Sequence, residues 1–476
     1  MPRRTKIIAT LGPATDDSRM LDKIIQAGVD LVRINFSHGA ADKHFERVER
    51  LRSRAAALGR QVGVLTDLQG PKIRIEKFRD GRIQLEEGMP FTIDAALGAD
   101  AGDQEQVGTS YQSLPEDVQP GDNLLLDDGR LVLTVERTSG TRVICRVAVG
   151  GVLSDRKGIN LQGGGLSAPA LTDKDRADIL LAAELQSDYM AVSFPRNAAD
   201  IEEARKLLRA AGGDGLIVAK IERAEALPAM DEIILASDAI MVARGDLGVE
   251  IGDAALPPVQ KQLIQRARTL NRVVITATQM MESMIENQIP TRAEVFDVAN
   301  AVLDGTDAIM LSAETATGHY PDKAIAAMDR VCRETERQRQ ATTSRHRIDV
   351  QFDHVDEAVA MSAMYAANHF DVKAIAALTE SGSTPLWMSR ISSGIPIYAL
   401  SRHLGTQRKV TLYRGVYPVA FDTSGRDKTE LEQRVLAELS RRGAVGPGDR
   451  VIMTNGDEAG VHGGTNAMTI IQVGGG

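Results

Sequence analysis

Eight times between residues 5 and 340, a short apolar run ends in polar or charged residues and gives way to an amphipathic stretch of helical period. This is the pattern of repeated βα units. The strands read as Lys6–Leu11, Leu31–Ser37, Val62–Leu68, Tyr189–Pro195, Leu216–Glu222, Ala239–Leu247, Arg272–Gln279 and Ala308–Glu314. Helices such as Asp16–Ala27, Asp173–Gln186, Ala198–Ala210, Pro258–Leu270 and Arg292–Leu303 alternate with them. Eight such units favour a closed parallel (β/α)8 barrel of the TIM type over an open sheet. In that architecture chemistry sits at the carboxyl ends of the strands.

The third strand is separated from its helix by the stretch Pro71 to Pro169, where the pattern turns to alternation and turns. Ile83–Leu85, Phe91–Ile93, Leu131–Val135 and Arg142–Val147 read as strands, with Asp80-Gly81 and Asp128-Gly129 as turns. An all-β insert on a βα loop would overhang the barrel mouth as a lid that excludes water. Gly150-Gly151 and Gly163-Gly164-Gly165 are its candidate hinges. Beyond the charged run Arg330 to Arg347 a new α/β pattern begins: a helix Ala358–His369, then strands Ala374–Leu378, Pro396–Leu400, Val451–Met453 and Met468–Val473. A chain of 476 residues exceeds one ordinary core. The expected units are a barrel formed by residues 1–70 and 171–345, an inserted β lid at 71–170 and a C-terminal α/β domain at 346–476.

The net charge of −9 argues against a nucleic-acid or anionic-membrane surface, so an anionic ligand must meet a local basic cluster. Cys145 and Cys332 form neither a metal-ligand spacing nor a disulfide framework, which fits a reducing cytoplasm. The apolar run behind Met1-Pro2-Arg3-Arg4 is too short for a signal peptide or membrane span.

Lys220 and Glu222 stand two apart at the end of the fifth strand and therefore face the same side. Charges buried there are costly unless paired or bound to something; a structural ion pair would use the same two residues. Ala243-Arg-Gly-Asp-Leu-Gly248 places Asp246 at the end of the sixth strand, beside Glu222. Two carboxylates suit magnesium, which completes its octahedron with substrate oxygens and water, although acidic strand ends also serve structure alone. Arg33, Asn35 and Ser37 alternate on one face of the second strand, and Asp67 ends the third. A guanidinium, an amide and a hydroxyl suit phosphate oxygens. Arg74 and Lys157 add cations where the insert joins or faces the barrel, with plain surface solvation as the competing reading. Thr278 brings a hydroxyl to the seventh strand end, where it can orient water or relay a proton, or merely reflect β-propensity. Glu380-Ser-Gly-Ser-Thr384 lies between a strand and the expected helix Pro385–Ile391. Such a loop is an anion site or a plain helix cap.

Leu216-Ile-Val-Ala-Lys-Ile-Glu-Arg-Ala-Glu-Ala-Leu227, Arg33-Ile-Asn-Phe-Ser-His-Gly39, Met241-Val-Ala-Arg-Gly-Asp-Leu-Gly-Val-Glu250, Ala277-Thr-Gln-Met280, Pro290-Thr-Arg-Ala-Glu-Val295 and Ser312-Ala-Glu-Thr315 follow one another in order. In these motifs, and over nearly its whole length, the chain resembles the pyruvate kinase family. The resemblance implies transfer of a phosphoryl group from phosphoenolpyruvate to ADP, giving pyruvate and ATP, with Mg2+ or Mn2+ on Glu222 and Asp246. It implies Lys220, Arg33, Arg74 and Thr278 as catalytic groups, and substrate contacts also from Ala243, Gly245 and Asp246. Nucleotide contacts would come from Asn35, His38, Arg74 and Lys157, with Asp128 carried toward the cleft by the lid. Potassium-dependent members bind the ion at positions matching Asn35, Ser37, Asp67 and Leu68.

One departure stands out. Potassium-dependent members carry Thr-Lys-Gly-Pro-Glu after the aspartate, whereas this chain reads Asp67-Leu-Gln-Gly-Pro-Lys72. An ammonium thus stands where they have a carboxylate, and the expectation is that Lys72 supplies the charge of potassium, so K+ is not required. The C-terminal domain resembles the family's effector domain, with Thr379, Ser381, Gly382, Ser383 and Thr384 as the phosphate loop. A sugar monophosphate or AMP is favoured there over fructose 1,6-bisphosphate. A homotetramer is implied as well. Two rivals remain: a barrel lyase or aldolase using Lys220 as a Schiff base, and a metabolite sensor without catalysis.

Overall fold

The computed structural model describes residues 2–338, 341–342, 351–423, 428–456 and 463–474. The expected boundary at 345/346 lies outside the described residues. Eight parallel strands close into a barrel: β1 (Lys6–Thr10), β2 (Leu31–Asn35), β3 (Gly63–Asp67), β4 (Tyr189–Val192), β5 (Leu216–Ile221), β6 (Ala239–Ala243), β7 (Val273–Ala277) and β8 (Ala308–Leu311). Each pairs with its sequence neighbours, and β1 closes the ring on β8. Apolar residues line both faces of the strands because both faces are covered. Ile8, Leu31, Leu65, Val218, Met241 and Ile275 belong to one buried cluster, while Ile7, Val32, Val64, Ile217 and Ile240 pack in another with residues of the surrounding helices.

Several strands stop short of the residues expected to end them. β6 ends at Ala243, and Arg244–Ile251 is a helix, so Asp246 sits in the first turn of that helix and not on the strand. β7 ends at Ala277 because Thr278 and Gln279 take positive φ, 67° and 54°, which no strand accommodates. β8 stops at Leu311 and turns into the short helix Ala313–Ala316. Ser37 and Leu68 likewise lie just past β2 and β3.

Between β3 and the helix Asp173–Glu184 lies the β insert. Its six-stranded sheet runs in the order Ile159–Leu161, Asn123–Leu126, Leu131–Ser139, Arg142–Val149, Pro90–Asp94, Gln106–Gly108, with a separate pair of Gly151–Ser154 and Arg82–Leu85. The insert has its own core of residues such as Phe91, Leu124, Leu133 and Val147. Gly163, Gly164 and Gly165 all have positive φ. A Cβ on Gly164 would lie 2.6 Å from Glu225 Oε2, so the glycine permits close docking of the insert's exit strand on the barrel. The C-terminal sheet has five strands in the order Val416–Ala420, Ile397–Ser401, Ala374–Leu378, Arg450–Asn455, Ala467–Gln472, the last antiparallel. Val416–Ala420 was not foreseen from sequence.

The barrel-interior cluster runs on into Ala363, Met364, Val410 and Tyr413 of the C-terminal domain. Tyr189 OH donates to Lys409 O at 2.6 Å, and the buried Arg390 guanidinium pairs with Asp307 just before β8. The C-terminal domain therefore seals the amino-terminal end of the barrel. The carboxyl ends of the strands are left facing the insert.

Candidate active site

Asp67, the last residue of β3, is the buried hub of the mouth. Arg33 Nε donates to Asp67 Oδ2 at 2.7 Å, and the Lys220 ammonium lies 3.3 Å from Oδ1. Lys220 also lies 2.9 Å from Glu222 Oε1 and donates to Ser193 Oγ at 2.7 Å. Ser193 in turn donates to Leu68 O at 2.7 Å, and the Phe194 amide donates to Glu222 Oε2 at 3.0 Å. Burial pushes the Asp67 carboxyl up, but Lys220 and Arg33 outweigh it and hold the group below its ordinary range. Burial likewise opposes the charge on Lys220, yet Asp67 and Glu222 win and raise the ammonium, which stays protonated. Burial lifts Glu222 above the ordinary carboxyl range; Lys220 opposes the lift, and Asp246 and Asp67 add to it.

Asp246 reaches the same cluster from its helix and is met by Lys72, whose Nζ lies 3.2 Å from Asp246 Oδ1. Lys72 stands at the root of the insert and lines a cleft with Asp246, Glu250, Arg223, Asn160 and Phe194. Lys72 thus sits on a candidate metal carboxylate; the Asp67 oxygens already face Arg33 and Lys220. Three cations, Arg33, Lys220 and Lys72, balance three carboxylates, Asp67, Glu222 and Asp246. Among the described residues no group of three or more His, Cys, Asp or Glu could hold a metal ion. Glu222 and Asp246 alone, with the Asp246 charge adding to the lift of the Glu222 carboxyl, fit magnesium better than a closed protein cage.

Thr278, immediately after β7, holds a left-handed conformation that is strained for a β-branched residue. Its Oγ1 donates to Ala277 O at 2.7 Å and accepts from the Gly245 amide at 2.9 Å. Ala243 is buried at the end of β6. Arg244, which sequence reasoning passed over, braces the turn: it donates to Thr278 O at 2.6 Å and Gln279 O at 3.0 Å and pairs with Asp297 at 2.7 Å. Ser193 was missed too. Its only sequence signal is that it is the polar residue directly after the β4 run.

Other expected groups stand farther from this cluster. Arg74 Nη1 donates to Arg156 O at 2.9 Å, and Lys157 pairs with Asp127 at 2.7 Å, so both are engaged within the insert. Asn35 Oδ1 accepts from the Ser37 amide at 3.1 Å, while His38 and Asp128 are exposed. The turn carrying Asp128 approaches the helix of Asp246: a Cβ at Gly129 would lie 3.9 Å from Val249 Cγ1. In the C-terminal domain, Thr379 Oγ1 accepts from the Gly382 amide at 2.9 Å and Ser381 Oγ donates to Ser383 Oγ at 3.3 Å. Thr384 is buried against Thr465 Oγ1 at 2.7 Å. The helix behind this loop begins at Ser383, two residues earlier than expected.

Comparison with known proteins places the whole chain. A family model described as pyruvate kinase, barrel domain, matches residues 2–325, and one described as pyruvate kinase, alpha/beta domain, matches residues 357–471. The chain is 58% identical over 475 residues to pyruvate kinase II of Salmonella typhimurium, covering 99% of each. It is 57% identical to a pyruvate kinase of Haemophilus influenzae, over 96% of each chain. The crystal structure of a pyruvate kinase from Cryptosporidium parvum superposes with a TM-score of 0.91 at 33% identity, over 99% of this chain and 96% of that one. This chain belongs to the pyruvate kinase family of phosphotransferases.

Proposed function

We propose that this chain transfers the phosphoryl group of phosphoenolpyruvate to ADP, yielding pyruvate and ATP, the last step of glycolysis. The observation that carries the reading is the charge-balanced cluster of Arg33, Lys220, Lys72, Asp67, Glu222 and Asp246 at the carboxyl ends of the strands. Phosphoryl transfer asks mainly for positioning and charge stabilisation, and such a cluster supplies both. Glu222 and Asp246 would hold Mg2+ or Mn2+, which would supply positive charge to stabilise the anionic phosphoryl group and enolate. Lys220 and Arg33, oriented by Asp67, neutralise the moving phosphoryl group, and Arg74 adds a further cation from the root of the lid. Ala243, Gly245, Asp246 and Thr278 bound the substrate pocket. Asn35, His38, Arg74 and Lys157 contact the nucleotide once the lid has closed on it.

Thr278 assists proton delivery to the enolate carbon, which makes the reaction strongly downhill. Its strained backbone and its hold on Gly245 support that role. Lys72 makes potassium unnecessary at the positions of Asn35, Ser37, Asp67 and Leu68. The domains divide at residues 70, 170 and 345, with residues 71–170 as the lid. The enzyme works as a homotetramer in the cytoplasm, activated by a sugar monophosphate or AMP at the loop of Thr379, Ser381, Gly382, Ser383 and Thr384. Among the described residues no helix is long and apolar enough to cross a membrane.

Phosphorus NMR of a mixture of protein, phosphoenolpyruvate, ADP and magnesium tests the transfer. The phosphoenolpyruvate signal should fall as the γ-phosphate signal of ATP rises one for one. Inorganic phosphate in place of ATP would make the protein a hydrolase, and no change at all would leave a sensor.

A further inference from the structure

Lys72 and Asp246 are 174 residues apart in sequence, one at the start of the insert and the other on the barrel helix Arg244–Ile251. Lys72 is in the first residues of the insert. Directly after it, Ile75 N donates to Lys157 O at 2.9 Å and Ile159 N donates to Ile73 O at 3.0 Å, so residues 73–75 and 157–159 together form the lid's root. Asp246 lies in the first turn of the helix Arg244–Ile251, which Arg244 and Thr278 fix to the barrel. The side chains of the pair are 32% and 24% exposed, so water reaches them and the contact can open without unpacking a core.

The rest of the mouth explains why the ammonium rests there. Asp67 is already met by Arg33 and Lys220, and Glu222 by Lys220 and the Phe194 amide. Asp246 is the one carboxylate of the three whose ion pair is with the lid. Without Lys72 the cluster carries one uncompensated negative charge beside a buried glutamate that like-charged neighbours already disfavour.

We infer that the Lys72 ammonium is a place-holder on Asp246, which a divalent cation must displace to load, so that metal binding and release of the lid root are one event. The inference rests on Asp246 being a metal ligand, as proposed above, and adds a competitor that sets the metal affinity of the substrate-free enzyme.

The test is a titration of the substrate-free protein with Mn2+, the free ion being counted by electron paramagnetic resonance. Lys72→Met should bind Mn2+ about 3- to 10-fold more tightly than the native protein, the range set by one partly exposed ion pair. Lys72→Arg should bind within about twofold of native. The difference between Met and native should survive at high salt, because a contact pair is screened far less than a distant charge. Lys77→Met, which removes the same charge from the lid at its pair with Asp100, controls for the general field and should leave the affinity unchanged. The gain should vanish in Lys72→Met combined with Asp246→Asn. Equal or weaker Mn2+ binding by Lys72→Met overturns the inference, as does an Arg variant that behaves like the Met variant. No turnover is involved, so the titration stands apart from the test of phosphoryl transfer.

Discussion

Thr278 Oγ1 accepts a hydrogen bond from the Gly245 amide at 2.9 Å, tying the end of β7 to the helix that presents Asp246. The threonine holds this position with φ at 67°, and Arg244 clamps its carbonyl from behind. A strained residue kept in place by several bonds is a feature that active sites retain.

Removing that hydroxyl while keeping the shape isolates its contribution. Thr278→Val should lower kcat about 100-fold, within the usual range for a lost proton-transfer group, and change the KM for phosphoenolpyruvate less than about threefold. Thr278→Ser should keep most of the activity. Steady-state kinetics at saturating magnesium check both, and a Val variant as fast as native would show the hydroxyl to be structural.

Lys220 is bound to Glu222 and Asp67 in a buried setting, and removing it leaves both carboxylates short of a partner. Lys220→Met should reduce kcat by about 10³-fold or more and cost roughly 3 kcal/mol of stability. Because its neighbours raise the native ammonium, it should not form an imine. Native protein treated with pyruvate and borohydride should keep its mass, and a stable adduct on Lys220 would point to a lyase.

Glu250 ties the exit of the lid to the barrel and carries a pH signature. Its Oε2 accepts from the Ala224 amide at 2.8 Å, and the Gly163 amide of the lid donates to its carbonyl at 3.0 Å. Burial pushes its carboxyl from 4.5 to about 7. The folded chain therefore holds a proton that the unfolded chain releases above its ordinary value. This contribution to stability is whole below about pH 4.5 and is lost as pH rises toward about 7. Glu250→Gln should flatten the fall in melting temperature of the lid and barrel between pH 5 and pH 8, gaining about 1–3 kcal/mol at the upper end. Thermal melts of both proteins across that range give the answer, and parallel curves would refute it.

The barrel was legible because its signal is local. Apolar runs at strand length followed by helical period survive single-residue irregularities, so all eight strands appear within a few residues of their true ends. The ends themselves were not legible. Nothing about a threonine announces positive φ at Thr278, and Ala243-Arg-Gly-Asp reads equally as strand or helix start until the packing of Arg244 on Asp297 decides it. Lys220 with Glu222 could be paired from spacing alone, whereas the partners of Lys72 and Thr384 lie 174 and 81 residues away and follow only from tertiary closure. Ser193 and Arg244 escaped notice because each looks like an ordinary polar residue at a strand end.

The loop of the C-terminal domain divides two readings by a simple substitution. Ser381 and Ser383 share a hydrogen bond at its surface, while Thr384 is occupied with Thr465. Ser381→Ala with Ser383→Ala should abolish the rate increase produced by a sugar monophosphate or AMP while leaving the unactivated rate within about twofold. Activation that persists in the double variant would reduce the loop to a helix cap.

The most direct measurement is pyruvate formation from phosphoenolpyruvate, ADP and magnesium, run side by side in potassium-free buffer and with potassium added. Equal rates in both, and dependence on potassium appearing in Lys72→Glu, are the predicted result. Activity only with potassium would contradict the role given to Lys72, and no pyruvate in either buffer would contradict the proposed function itself.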